Sequence, residues 1–331
     1  MPDRVSYSVV APLYNEEGNL RILYDRLRPV LQQLARDDWE IIFVDDGSRD
    51  DSWQVVEQLH KQDARVTGLR FSRNFGHHVA LTAGLDVSRG ARVVTMDSDL
   101  QDRPEDLPKL VAKMDEGYDL VCAERVGRKH SPGKTLSSRV FLWLLNRASD
   151  VPYPITGAVY RIMSRPFVDE LCRLRERHRL FTGLTSWLGF RQASAPVEHG
   201  ERHSGKPKYG FRKMLALAAD SIFSFSSKPL HILTGLGGVT SLLALALGVY
   251  LLVRYSASGS SATGWASIVA AVAFFGGAIL FALGIICQYL ARIFEQQKQR
   301  PLYVLRQTLA ASVPPDGLGR TTPSADRTQS G

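Results

Sequence analysis

Short apolar runs alternate along the first part of the chain with stretches of helical spacing, and each run stops at a polar turn. Ser8-Val9-Val10-Ala11-Pro12 predicts a first strand, after which Tyr14-Asn15-Glu16-Glu17-Gly18-Asn19 leads into a helix marked by Leu20, Leu23, Leu27 and Leu31. Glu40-Ile41-Ile42-Phe43-Val44 predicts a second strand that runs into Asp45-Asp46-Gly47-Ser48 and a helix from Asp51. A third strand, Val66 to Phe71, is followed by a turn at Asn74-Phe75-Gly76-His77-His78 and a helix from Val79 to Val87. Val93-Val94-Thr95-Met96 is the fourth, and it opens onto Asp97-Ser98-Asp99-Leu100-Gln101-Asp102. A helix from Glu105 to Glu116, with Pro104 in its first turn, precedes a strand at Asp119 to Ala123. Further on come a strand at Ala158 to Met163 and a helix from Pro166 to Arg175. Strands apolar on both sides are buried on both faces. Their alternation with helices predicts an α/β fold with a doubly wound, mostly parallel sheet that collects ligands at its carboxyl ends.

The acidic ends of these strands carry the candidate chemistry. In extended backbone, residues two apart point the same way, so Asp97 and Asp99 can face one point. A divalent cation suits that point, since Mg2+ takes oxygen ligands and uses one or two carboxylates, leaving substrate phosphates and water to fill its shell. Alone, an Asp-x-Asp reads equally as a solvated loop with a helix cap. The second acidic turn, Asp45-Asp46, lies at the carboxyl end of another strand, which favours one shared cleft. No Gly-x-Gly-x-x-Gly follows the first strand and no Walker glycine loop occurs, which argues against a dinucleotide fold and a phosphate-loop NTPase. Phosphates are then left to a metal and to arginine.

Composition and the second half of the chain add a membrane. The 331 residues hold 41 Lys and Arg against 33 Asp and Glu, a formal charge of +8. Basic segments at Glu124 to Lys134 and Glu201 to Tyr209 flank greasy stretches, Leu136 to Asn146 and the amphipathic Met214 to Phe225. The first greasy stretch reads equally as an ordinary core helix. Leu230 to Val253 and Trp265 to Leu290 carry no charge and have the length of membrane spans. Arg212, Lys213 and Lys228 precede this hairpin, Arg292, Lys298 and Arg300 follow it, and the loop between the spans is uncharged, so both termini are expected in the cytoplasm. Gly235, Gly237, Gly238, Gly276 and Gly277 permit close packing between the spans or between subunits of a homo-oligomer. Cys122, Cys172 and Cys287 show neither metal spacing nor a disulfide framework. The N-terminus enters its first strand without the apolar core of a secretory peptide. The expected division is a cytoplasmic catalytic domain at 1–210, a juxtamembrane helix at 211–229, and spans at 230–253 and 265–290 around an extracytoplasmic loop at 254–264. A cytoplasmic segment at 291–310 and a disordered tail at 311–331 complete it.

With these residues assembled, the chain resembles glycosyltransferase family 2, and within it the polyprenyl-phosphate glycosyltransferases. The likeness is carried by Pro12-Leu13-Tyr14-Asn15-Glu16-Glu17, Val44-Asp45-Asp46-Gly47-Ser48, Arg73-Asn74-Phe75-Gly76-His77, Met96 to Asp102, and Arg300-Pro301-Leu302-Tyr303. It implies a GT-A fold followed by a transmembrane hairpin. The implied activity is inverting transfer from a nucleotide-sugar to polyprenyl phosphate at the cytoplasmic membrane, with Mg2+ or Mn2+ as cofactor. Uridine diphosphate is the expected carrier and guanosine diphosphate stays open. The resemblance places Pro12, Tyr14, Glu16, Asp45, Asp46 and Asp97 around the donor nucleotide, and Asp97, Asp99 and Gln101 at the metal. It assigns Arg125, Arg139, Arg202 and Lys208 to donor or acceptor phosphates, with Arg125 joining Asp97 and Asp99 in the catalytic set. Asp45 or Asp46 reads also as a helix cap, and Arg139 as a membrane-facing surface charge.

Two positions depart from the family pattern. Relatives carry an Asp before the glycine of the acceptor-side motif, where this chain has Tyr153-Pro154-Ile155-Thr156-Gly157, and Pro207 replaces a serine before the lysine of the basic loop. The missing carboxylate leaves two routes: an acceptor phosphate that acts as its own nucleophile, or a distant acid such as Asp150. The first is favoured, because a phosphate monoester has a second pKa of about 6. The departure also keeps open a non-catalytic scaffold that binds nucleotide-sugar or lipid phosphate. A processive polysaccharide synthase fits less well, since neither its Gln-x-x-Arg-Trp motif nor its further spans are present. The expected hairpin argues against a nucleic-acid partner and for a lipid bilayer.

Overall fold

The first apolar run forms β1 (Tyr7–Leu13), every residue of which is buried. A computed structural model of the chain describes residues 5–125, 159–177, 181–197, 228–258 and 265–309. On one side β1 pairs in parallel with β2 (Trp39–Asp45), which pairs in parallel with β3 (Val66–Phe71). On the other side it pairs in parallel with β4 (Arg92–Thr95). Beyond β4 lie β6 (Arg161–Ser164), β5 (Leu120–Arg125) and β7 (Gln192–Val197), and β8 (Leu305–Leu309) closes the far edge. The order across the sheet is β7-β5-β6-β4-β1-β2-β3-β8. Because the chain lays β2 and β3 to one side of β1 and then crosses to lay β4 on the other, a crevice opens outside the carboxyl ends of β1 and β4.

Alternation along β1 and β2 builds two layers. Val9, Ala11, Leu13, Ile41 and Phe43 join a core with Leu20, Leu23 and Leu27 of α1 (Glu17–Ala35), Trp53 and Val56 of α2 (Ser52–Gln62), and Leu110 of α4 (Leu107–Met114). Each such leucine, fully buried, contributes about 1.5–3 kcal/mol relative to exposure. Val10 and Val44 face the other way, against Gly84 of α3 (His77–Val87). Glu40 is a buried charge with its partners in place. Its Oε1 accepts from the Ser8 hydroxyl at 2.6 Å and the Arg89 N–H at 2.8 Å, and its Oε2 from the Arg89 guanidinium at 2.8 and 3.0 Å. It ties β1, β2 and the turn before β4 together.

The sheet is mixed, with a parallel centre. The β4–β6, β5–β6 and β3–β8 pairs are antiparallel. The helix expected from Glu105 begins instead as a 3-10 turn, Pro104–Asp106, before α4. Next come α5 (Arg165–Arg173) and the short α6 (Phe181–Trp187).

The chain divides into two compact units, the α/β unit, to which β8 belongs, and a unit holding α7 (Lys228–Ser258) and α8 (Trp265–Gln297). Both helices exceed the expected 230–253 and 265–290, and residues 254–258, expected in the loop, are helical. Among the described residues one stretch, Phe274–Gln297 within α8, is long and apolar enough to cross a membrane, with a mean hydropathy of 2.0. The apolar part of α7, Ile232–Ala244, is shorter than a span. Leu280 and Phe281 of α8 lie exposed. Residues Arg139, Asp150, Tyr153, Ile155, Arg202, Pro207 and Lys208 lie outside the described residues, as do the 136–146 and 214–225 stretches and the tail from 311.

Candidate active site

The turns after β1 and β2 are stitched into one wall. Asn15 takes a left-handed φ of 58°, which asparagine tolerates better than most residues. Its N–H donates to Ser48 Oγ at 3.0 Å, its Oδ1 accepts from the Arg49 N–H at 2.9 Å, and the Glu16 N–H donates to Ser52 Oγ at 2.8 Å. Tyr14 is left 41% exposed. Glu16 accepts from Asn19 Nδ2 at 2.5 Å. Burial pushes the Glu16 carboxyl above the usual carboxylate range, the Asn19 bond pulls it back, and the charges of Asp99 and Asp50 push it up again.

Behind this wall, Asp46 clamps the segment that leads into α3. Its Oδ1 accepts from the Phe75 N–H at 2.6 Å and its Oδ2 from the Gly76 N–H at 2.9 Å. Burial raises its pKa, the two backbone bonds lower it, and Asp45 raises it further. Gly47, at φ +75°, lets the two loops meet, because a Cβ there would stand 2.6 Å from the Arg73 carbonyl carbon. Replacing Asp46 with alanine strands two backbone donors. The expected cost is about 1–3 kcal/mol, read as a lower thermal midpoint.

Asp45, expected beside the nucleotide, serves the turn itself. It is fully buried, its Oδ1 accepts from the Ser48 N–H at 2.7 Å, and its Oδ2 lies 3.3 Å from Arg70 Nε. That last approach is off the hydrogen-bond line, so it pairs charge without an aligned bond. Asp45 therefore shapes the turn from below. Pro12 is likewise buried, and its carbonyl accepts from the Ser98 hydroxyl at 2.8 Å, joining the end of β1 to the carboxylate turn after β4.

The carboxylates that remain partly open are Asp97 and Asp99. Asp97 Oδ1 lies 3.6 Å from Nε2 of His77, the first residue of α3. Asp99 Oδ1 accepts from the Gln101 N–H at 3.1 Å, which places Gln101 beside the pair through its backbone. Between them Leu100 sits at φ 62° and is held by burial, a left-handed leucine that costs about 1–3 kcal/mol. Strain of that size is stored in the loop that presents the two acids.

Two neighbours were given no role in the sequence. His77 has its pKa pushed below the usual imidazole value by burial first and the Arg161 charge second, against the pull of Asp99. Arg161, on β6, is 4% exposed, donates from Nε to the Val159 carbonyl at 3.3 Å, and lies 5.8 Å from the Phe181 ring centroid. Burial lowers its pKa, opposed by Cys122 and Asp97, yet a guanidinium stays charged. The available signal was a lone arginine inside an apolar strand, since a charge placed there needs partners. Arg125 ends β5 opposite Val197 of β7.

This donor set fits a hard divalent cation. Among the described residues no group of three or more His, Cys, Asp or Glu side chains could hold a metal by itself. Two partly open carboxylates match an ion that completes its shell with phosphate and water, and not a closed zinc cage.

A mostly parallel mixed sheet with acidic turns at its switch point is a GT-A-like α/β arrangement. The family described as Glycosyl transferase family 2 matches residues 8–172. The uncharacterized glycosyltransferase YkcC of Bacillus subtilis is 38% identical over 312 residues, covering 93% of this chain and 95% of its own length. The undecaprenyl-phosphate 4-deoxy-4-formamido-L-arabinose transferase of Salmonella choleraesuis is 33% identical over 305 residues, covering 91% and 93%. A mannosyltransferase from Pyrobaculum calidifontis, solved with GDP-Man and Mn2+, aligns over 88% of this chain and 86% of its own, at 19% identity and a TM-score of 0.47. The chain belongs to glycosyl transferase family 2.

Proposed function

We propose that the protein transfers a sugar, with inversion, from a nucleotide-diphospho-sugar, UDP-linked, to polyprenyl phosphate at the cytoplasmic face of a membrane. The observation that carries the reading is the placement of Asp97 and Asp99 after β4, at the switch point, in a turn that Ser98 bonds to the end of β1. A 33% identical relative covering 91% of the chain is named for transfer to undecaprenyl phosphate, which supports the acceptor class.

Asp97 and Asp99 would hold a Mg2+ or Mn2+ ion, which supplies charge neutralisation for the departing nucleoside diphosphate. Tyr14 offers the donor an exposed ring, and Glu16 closes that side. Asp46 holds the loop that brings His77 to Asp97. Arg161 sets a fixed positive charge near Asp97. Arg125, Arg139, Arg202 and Lys208 meet the phosphates and align the acceptor oxygen with the anomeric carbon, so the main contribution is position. The acceptor phosphate is its own nucleophile, consistent with Tyr153 and Ile155 in place of a carboxylate. Stretches 230–253 and 265–290 form a membrane hairpin that engages the lipid tail of the acceptor, both termini on the cytoplasmic side.

The test is a screen of nucleotide-sugars for release of nucleoside diphosphate, with undecaprenyl phosphate and each metal in turn. Release that needs the lipid phosphate supports the reading, and no glycolipid under any condition overturns it in favour of a binding scaffold. In the same assay Arg202→Ala is expected to raise the KM for lipid phosphate about tenfold while the donor KM stays within about twofold. The reverse order would move Arg202 to the donor side.

A further inference from the structure

The segment Arg300-Pro301-Leu302-Tyr303, which the proposed chemistry leaves without a role, is built into the α/β unit at one particular place. The chain leaves α8 at Gln297 and within a few residues is paired with β3. The Arg177 guanidinium donates to the Arg300 carbonyl at 2.9 Å, the Ser72 N–H donates to the Val304 carbonyl at 2.9 Å, and β8 then runs antiparallel to β3.

Tyr303 holds the last turn of α3 and, through β3, the loop that leads into it. At the far end its hydroxyl donates to Oδ2 of Asp86, in the last turn of α3, at 2.9 Å. The same carboxylate takes both terminal nitrogens of Arg175 at 2.8 Å each, so its position is fixed. At the near end the Tyr303 ring stacks on Phe71, with centroids 5.3 Å apart and planes 15° from parallel. Phe71 meets Phe75 edge-on at 5.5 Å. The Phe75 N–H is the one held by Asp46, and two residues later His77 faces Asp97 at 3.6 Å. One aromatic residue from the far end of the chain thus contacts the last turn of the helix that carries His77 directly, and reaches the loop before that helix through one ring.

We propose that Tyr303 is a positioning residue for the donor side of the transfer reaction, setting the 73–77 loop and α3 against the Asp97 turn. The proposal rests on the donor site described under the proposed function. It touches no substrate itself and acts through Phe71, Phe75 and Asp86. The hydroxyl and the ring make separable contributions, because phenylalanine keeps the stack and loses only the bond to Asp86.

The test uses the full-length protein in detergent, comparing the parent with Tyr303→Phe and Tyr303→Ala. Amide exchange by mass spectrometry is expected to speed up roughly tenfold across residues 73–87 in Tyr303→Ala, and less in Tyr303→Phe, with residues 7–13 and 92–95 unchanged. The donor KM is expected to rise roughly tenfold in Tyr303→Ala and to recover most of the way in Tyr303→Phe, with the lipid-phosphate KM constant. Unchanged exchange at 73–87, or equal acceleration in all three segments, overturns the proposal, as does a fall in kcat with both KM values unmoved. The exchange arm needs no turnover. A parent that transfers no sugar therefore counts against the proposed function, and the exchange pattern still decides the role of Tyr303.

Discussion

Asp99→Asn is expected to lower transfer by about 100-fold or more while the protein melts at the parent temperature or slightly above it. The amide keeps the shape of the side chain and its oxygen can still accept from the Gln101 N–H, so the strained turn at Leu100 keeps its local bond. What is lost is the charge that offsets a divalent cation and, through it, a departing diphosphate. Removing that charge also relieves Glu16, whose pKa is raised in part by Asp99. That relief is why no loss of stability is expected. Turnover against Mn2+ concentration, beside a thermal melt, separates the two effects. Equal turnover in variant and parent would remove Asp99 from the site, and a collapsed melt would make it a folding residue.

Gly84→Ala is expected to cost about 3 kcal/mol or more and to reduce transfer along with stability. A Cβ at Gly84 would stand 2.2 Å from Val10 Cγ1 and 3.2 Å from Val44 Cγ2. Both valines are fully buried and branched at Cβ, so neither has a free rotamer to escape into. Relief has to come from α3 lifting off the sheet, and α3 carries His77 at its first residue. Gly18→Ala in α1 is the control. Nothing lies within 4 Å of its added Cβ, and alanine in a helix is favoured over glycine by about 1 kcal/mol. A Gly84→Ala protein that melts with the parent would show slack between α3 and β1.

The centre of the sheet was legible because burial on both faces writes itself as uninterrupted apolar runs, and β1 to β4 fall within a residue or two of the runs that predicted them. The edges were not. β7 reads Gln192-Ala193-Ser194-Ala195-Pro196-Val197 and β8 reads Leu305-Arg306-Gln307-Thr308-Leu309, and both carry the polar side chains that an exposed edge allows. The direction of β6 was hidden for another reason: a strand's pattern is the same read either way, so only pairing reveals that it runs against β4 and β5. Within the site, the sequence located the acidic turns but could not separate a carboxylate facing the crevice from one facing the core. Asp45 and Asp46 are neighbours of identical type, and one is held by Ser48 and Arg70 while the other clamps Phe75 and Gly76. His77 and Arg161 come from distant parts of the chain, and they reach Asp97 because α3 packs on β1, the neighbour of β4, while β6 pairs with β4 itself.

β8 follows both long helices in the chain, so ribosomal order sets when the sheet can be completed. Every other strand among the described residues has been translated by Val197, whereas the partner for the free side of β3 arrives only after residue 300. During that interval the nascent domain presents the unpaired amides of Val66–Phe71, the kind of rim that recruits strands from neighbouring chains. Proteins cut short ahead of α7, a common route to a water-soluble sample, would keep that rim open permanently and are expected to aggregate.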